Sequence, residues 1–196
     1  MKKLEIIGFK RANLGRKATK ETREQGDVPC VLYGGKDQAH FHTPAYLFKD
    51  LVYTEEPHFI DLTIEGKTYE AKLQEIQFHP VSEMILHADF LELNPKKEVV
   101  MEIPLNFTGT APGIVKGGKL IQRLRRLSVK ALPKDMPDAI DLDISNLELG
   151  KSAKVSDVLV KNFKILNPKS NPVVTVDVPR ALKGATGTEE NATATA

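Results

Sequence analysis

The stretch FIDLTIEGKTYEAKLQEIQ, residues 59–77, decides the fold class. Between Thr68 and Glu75 the apolar side chains Tyr69, Ala71 and Leu73 alternate with Thr68, Glu70, Lys72 and Gln74, and a period of two marks a half-buried strand. Residues 59–64 form a second run of the same kind. Glu65-Gly66-Lys67 between them predicts a hairpin, with glycine where the turn needs a positive φ.

Working outward, the same criteria give strands at 4–9, at 28–33 (closed by Gly34-Gly35), at 39–43 and at 85–93. Residues 43–52 read as a helix, with Thr43 as cap, Pro44 at the first helical position and Tyr46, Leu47 and Leu51 on one face. Residues 19–25 have room for a second, short helix. Asn94-Pro95-Lys96-Lys97 is a turn-forming pair followed by charge, and it predicts a domain boundary. Beyond it the strand pattern restarts at 99–107, 120–132, 140–147, 153–159, 163–166 and 173–178, punctuated by glycine and proline. From residue 180 the sequence ALKGATGTEENATATA follows Arg180 with no periodicity and little to bury, as expected of a disordered tail. The expected organisation is mainly β (α+β): domains at 1–94 and 95–179, then a tail at 180–196.

Charge is segregated along this frame. Residues 1–36 carry nine Lys/Arg against four Asp/Glu, and residues 37–95 carry three against eleven, which the formal net charge of +2 conceals. A polyanion-binding surface needs such segregation, because phosphate contacts are point-charge contacts that must share one side. The basic run is Lys10, Arg11, Arg16, Lys17, Lys20 and Arg23 in a glycine-centred loop. A second cluster, Lys116, Lys119, Arg123, Arg125, Arg126 and Lys130, has no acidic residue between 116 and 130. If strand-borne, Arg123 and Arg125 share one face and Arg126 takes the other, which suits a strand edge on RNA or protection of that edge against aggregation.

Other function classes find little support. The lone Cys30, in an apolar run, excludes an internal disulfide framework and reads as a buried, inert thiol. No apolar stretch approaches the ~20 residues of a membrane span, and MKKLEIIGFKR lacks a signal-peptide core, so a cytosolic protein is expected. With no Trp and 6% aromatic residues, serial base stacking is not the expected mode of single-strand binding. The spacing of a phosphate-binding P-loop is absent, as are a G-x-S-x-G elbow and a Cys-His signature, so no enzyme is expected. His87-Ala88-Asp89 puts imidazole and carboxylate on one strand face, two of the three ligands of a facial iron triad. All five histidines (40, 42, 58, 79 and 87) lie at or before 87, so the usual distal ligand is missing, and hydrogen bonding is the default role.

Three collinear blocks then resemble one family: Arg11-x3-Gly15-Arg16-x-Ala18-Thr19-Lys20-x2-Arg23; Val28-Pro29-x3-Tyr33-Gly34-Gly35; and Gln77-x-His79-Pro80 leading to Leu86-His87-x-Asp89-Phe90. They are similar to bacterial large-subunit ribosomal proteins of the L-twenty-five/Ctc (general stress protein) type, which bind 5S ribosomal RNA. Ala111-Pro112-Gly113, Gly117-Gly118 and Asp143-Ile144-Ser145-x-Leu147-x2-Gly150 resemble the second β domain of the long, two-domain form, so the likeness covers about residues 4 to 178.

The resemblance implies a six-stranded type of N-terminal β-barrel with a few short helices, then a separate all-β domain. It implies a structural component of the large subunit, on the cytoplasmic ribosome, whose barrel meets the minor groove of 5S RNA loop E. Implied partners are 5S RNA and neighbouring ribosomal proteins or RNA, with no DNA, membrane, metal or cofactor. By the same resemblance Arg11, Arg16, Lys20 and Arg23 neutralise phosphates, Tyr33 supplies a hydroxyl and a ring at the groove wall, His87 and Asp89, beside Gln77, read base edges or 2′-hydroxyls, and Lys10, Lys17 and Thr19 complete the RNA-binding set. The secondary patch of Lys116, Lys119, Arg123, Arg125 and Arg126 is a further RNA candidate. Lys17 and Lys20 stand where the family commonly has glycine and arginine, which predicts a different loop path and the loss of any bidentate contact at 20. The competing expectation from another class is a cytosolic stress-response protein that holds protein partners through its second domain.

Overall fold

The computed structural model describes residues 1–35, 37–159 and 162–179, so the predicted tail at 180–196 lies outside the described residues. The described residues divide into two units: Met1–Val99 with Ala131–Asp138, and Val100–Lys130 with those from Ala139 onward. Among the described residues no helix is long and apolar enough to cross a membrane.

In the first unit, β1 (Lys2–Lys10), β2 (Asp27–Tyr33), β3 (Ala39–Pro44), β4 (His58–Ile64), β5 (Lys67–Phe78) and β6 (Ile85–Glu92) close into a barrel of order β1-β3-β2-β6-β5-β4. Closure removes both sheet edges, so every strand pairs on two sides. The parallel pairs β1/β4 and β2/β6 are separated on each side of the barrel by two antiparallel pairs. The hairpin predicted at 59–77 is β4–β5. Its turn has positive φ at both Glu65 (49°) and Gly66 (79°), the primed geometry whose twist matches the flanking strands.

Alternate residues Val28, Cys30 and Leu32 of β2, Ile60, Leu62 and Ile64 of β4, and Ala88 and Phe90 of β6 fill the barrel. Phe90 meets Phe41 at 5.6 Å and Phe48 at 6.2 Å between ring centroids. A Cβ at Gly8 would lie 2.5 Å from Phe41 Cδ2, so β1 can pass this ring only as glycine. Burial also pushes the Cys30 thiol far up, with Asp89 adding to the effect, which keeps it protonated and inert.

The helix expected at 43–52 is shorter and starts later. Thr43 is fully buried in β3 opposite Val28, and its hydroxyl donates to the Ile7 carbonyl (3.1 Å) rather than capping. Pro44 ends that strand, where its missing N–H is tolerated. A 3₁₀ turn (Ala45–Phe48) then carries Phe48 into the core. A single α-turn (Lys49–Val52) follows it.

The basic loop is helical over most of its length: α1 spans Arg16–Glu24, and the short α-turn at Lys49–Val52 is α2. Lys17 therefore has ordinary helical backbone, and no conformation reserved for glycine is required of it.

In the second unit, β7 (Val99–Thr108) is followed by α3 (Pro112–Val115), β8 (Lys119–Gln122), β9 (Arg126–Ala131), β10 (Ile140–Asp143), β11 (Ser152–Lys154), β12 (Lys164–Ile165) and β13 (Pro172–Asp177). They form a four-stranded sheet, β10-β7-β9-β12, and a three-stranded one, β11-β13-β8. Leu105, Leu127, Val129, Leu142, Val173, Val174 and Val176 are among their buried residues.

Three predicted runs are interrupted. The run 120–132 breaks at Arg123–Arg125, where the chain leaves one sheet for the other. The run 140–147 stops at Asp143, whose Oδ1 accepts the Ser145 N–H (2.9 Å) and hydroxyl (2.6 Å), a local turn that ends the ladder. The run 153–159 gives way to a 3₁₀ turn at Val155–Asp157.

Candidate nucleic-acid interface

A β-bulge makes the barrel's polar wall. If the alternation of Tyr69, Ala71 and Leu73 ran on unbroken, Glu75 and Gln77 would point into the core. The register of β5 against β6 instead shifts between Leu73 and Glu75: Leu73 pairs with Phe90, Glu75 with Asp89, Ile76 with Ala88 and Gln77 with His87. The extra residue, Gln74, flips the phase, so Ile76 packs on the core and Glu75 and Gln77 turn out beside Asp89 and His87. Across β6 the row continues through Val31 to His40, and the Arg11 N–H bonds the His40 carbonyl (3.0 Å). A one-residue insertion is invisible to a period-two reading, and Glu75 is the member of the row that sequence reasoning missed.

On this wall His87 Nδ1 lies 2.7 Å from Asp89 Oδ1, and both side chains are about one-third exposed. With Nδ1–H donating to the carboxylate, Nε2 and the second carboxylate oxygen are left as acceptors toward solvent. Tyr33, at the end of β2, has its phenol pushed up by burial, with Asp89 and then Glu75 adding to the effect. It therefore stays a hydroxyl donor through neutral pH. The Gln77 amide completes a set of both donors and acceptors on rigid strands.

Helix α1 lies against β2. Pro29 and Val31, on the outer side of that strand, are buried although they face away from the core. None of the α1 side chains is fully buried, so polar struts hold it. Arg23 donates Nε and Nη2 to the Leu86 carbonyl (3.0 and 2.8 Å), a two-pronged contact onto β6. Arg11 Nη2 donates to Thr19 Oγ1 (2.9 Å), and that hydroxyl donates to the Gly15 carbonyl (2.7 Å).

Three residues expected on RNA thus have structural partners: Arg11, Thr19 and Arg23. Arg16, Lys17 and Lys20 are exposed, with Lys20 3.7 Å from Glu24 and, among the described residues, no ion pair within 4.0 Å at the other two. Lys10 is separate: paired with inward-facing Phe41, it approaches Glu65 of the β4–β5 turn at 4.0 Å.

The second basic cluster is not the flat strand edge expected. Lys119 lies on β8 opposite Asp177, and Lys116 lies near enough to Glu148 to help hold that carboxyl down, behind the larger effect of Lys151. Arg123 and Arg125 sit in bends of the crossover between the sheets, and Arg126 opens β9.

A model of the Ribosomal L25p family matches residues 6–90, and one of the ribosomal protein TL5 C-terminal domain matches residues 98–180. The chain is 56% identical over 183 residues to the large ribosomal subunit protein bL25 of Cytophaga hutchinsonii, covering 93% of this chain and 95% of the relative. It belongs to the bL25 family. The bL25 proteins of Amoebophilus asiaticus (49% over 190 residues, 97% of each chain) and Phocaeicola vulgatus (42% over 195 residues, 96% of this chain and 98% of the relative) extend the likeness across both units. As a bL25 protein of the long form, the chain is a structural, non-enzymatic component of the bacterial large ribosomal subunit. Its place is the cytoplasmic ribosome, and its partners are ribosomal RNA and ribosomal proteins.

Proposed function

We propose that the barrel binds 5S ribosomal RNA at the widened minor groove of loop E, with Gln77, His87, Asp89 and Tyr33 reading base edges and 2′-hydroxyls. The observation that carries this reading is the bulge-made row on β5 and β6, where Gln77 and His87 pair side by side and Asp89 is bonded to His87 at 2.7 Å. Helical RNA hides its major groove and offers edges and hydroxyls in a shallow minor groove, which suits a flat wall better than an inserted helix. A carboxylate among phosphates is costly unless it meets a donor, so Asp89 selects an amino or imino edge rather than a backbone. Arg16, Lys17 and Lys20 track the phosphates beside it. Arg11, Thr19 and Arg23 hold α1 in place for that contact.

The test is a titration of the full chain against 5S RNA and against the same RNA lacking loop E, at two salt concentrations. Loop-dependent binding that weakens steeply with salt is expected. Asp89→Asn should lower affinity about tenfold or more, one edge contact being worth about 1–3 kcal/mol. Salt-sensitive binding indifferent to the loop would leave only general RNA affinity. No binding at all would put the protein-partner reading first.

A further inference from the structure

Among the described residues the second unit carries three guanidinium groups, on Arg123, Arg125 and Arg126, that the barrel's proposed role does not use. They sit on a pinned piece of backbone. The Arg123 and Leu124 N–H groups both donate to the Val173 carbonyl (2.8 and 3.1 Å), and the Arg125 carbonyl accepts from the Leu105 N–H (3.2 Å). The crossover is thus tied to β13 of one sheet and β7 of the other, while all three arginines are exposed. Among the described residues none of the three has an ion pair within 4.0 Å, although the neighbouring Lys119 faces Asp177 and Lys116 lies near Glu148.

Three like charges on four consecutive residues repel one another and weaken the fold that holds them, unless a polyanion offsets the repulsion. Edge protection is met equally well by a single lysine and does not account for an arginine cluster on a crossover that already bonds both sheets. Arginine adds what lysine lacks, a planar fork that meets phosphate oxygens two at a time.

We propose that Arg123, Arg125 and Arg126 form a second RNA-binding site that grips the phosphate backbone of large-subunit ribosomal RNA, separate from the 5S site of the barrel. The site provides charge and forks but little base-reading chemistry, so it is indifferent to sequence and positions rather than specifies. Linked to the barrel by the chain, it makes the protein bivalent, with the second contact favoured by effective concentration once the first has formed. The proposal rests on membership of the large subunit but not on the loop E reading.

The experiment measures binding of the full chain to two separate probes, 5S RNA and protein-free large ribosomal RNA, over a salt series. Replacing Arg123, Arg125 and Arg126 together by Ala should weaken binding to the large RNA about tenfold and flatten its salt slope by about 2, at roughly 0.7–0.9 per phosphate contact. Binding to 5S RNA should be unchanged, and melting no lower than that of wild type, as expected on relief of like-charge repulsion, shows that the second unit of the variant is folded. The triple Arg→Lys variant should recover the salt slope and only part of the affinity. His87→Ala should do the reverse of the Ala triple, losing 5S RNA and keeping the large RNA. Equal binding of the large RNA by wild type and the Ala triple would overturn the proposal. So would a loss seen only with intact subunits and not with bare RNA, which would identify an acidic protein as the partner. Failure of 5S binding alone would sink the barrel reading and leave this one standing.

Discussion

The arginines beside the barrel wall and those of the second unit's crossover differ in what their guanidinium groups face. Arg11 and Arg23 are engaged within the protein, on Thr19 and the Leu86 carbonyl, and they fix a helix that has no fully buried side chain of its own. Arg123, Arg125 and Arg126 hang from backbone already bonded on both sides and, among the described residues, have no ion pair within 4.0 Å. One set supports the protein, and the other is left for a partner. Counting positive charge along the chain cannot separate the two, because a strut and a phosphate ligand need the same residue type.

The broadest way to test that difference is to remove the barrel and keep the crossover. Phe41 is fully buried between Gly8 and Phe90, so Phe41→Ala should cost about 3–5 kcal/mol and lose 5S binding with the barrel. Salt-dependent binding of large ribosomal RNA should survive. If thermal unfolding shows one transition in which both activities vanish, the two regions are not independent and the comparison fails.

Within the first unit the contrast is between Arg23 and Arg16. Arg23→Ala removes two charge-assisted bonds to one carbonyl at an exposed position and should lower stability by about 1 kcal/mol, below the usual range for such bonds because water competes for the guanidinium, while weakening RNA binding as α1 loosens. Arg16→Ala should leave the melting temperature unchanged and reduce the salt slope of 5S binding by about 1. Equal melting losses in the two variants would show that Arg16 is a strut as well.

The barrel was legible where burial enforces alternation, as at Leu62 and Ile64 or Ala88 and Phe90. It was illegible where the reason for a residue lies across the fold. Thr43 looks like a cap in sequence, but its hydroxyl answers a carbonyl on β1, 36 residues earlier. The helix at 16–24 has no apolar stripe to announce it, because Arg23 reaches β6 across 63 residues to hold it. His87 and Asp89 could be placed on one face from their spacing alone, but Glu75 joined them only through a bulge. The block resemblance named Gln77 without explaining why it points outward.

The smallest expected effect is a control for engaged charge inside the second unit. Asp143 is an exposed carboxylate that accepts the Ser145 hydroxyl and then its N–H, and these bonds hold its carboxyl below the usual aspartate value of 3.8. A group whose folded pKa is depressed contributes stability above its unfolded pKa, and that contribution fades as pH falls through the folded value. Ser145→Ala removes the larger of the two bonds, so it should destabilise the protein slightly at neutral pH, and the difference from wild type should shrink as pH drops below about 4. The triple substitution at Arg123, Arg125 and Arg126 removes charges with no bonded acidic partner among the described residues, so its effect on melting should not fade over the same acid range. Melting curves of both variants from neutral to acid pH separate the cases. A Ser145→Ala difference that persisted undiminished into acid would mean that the hydroxyl supports the turn without help from the charge on Asp143.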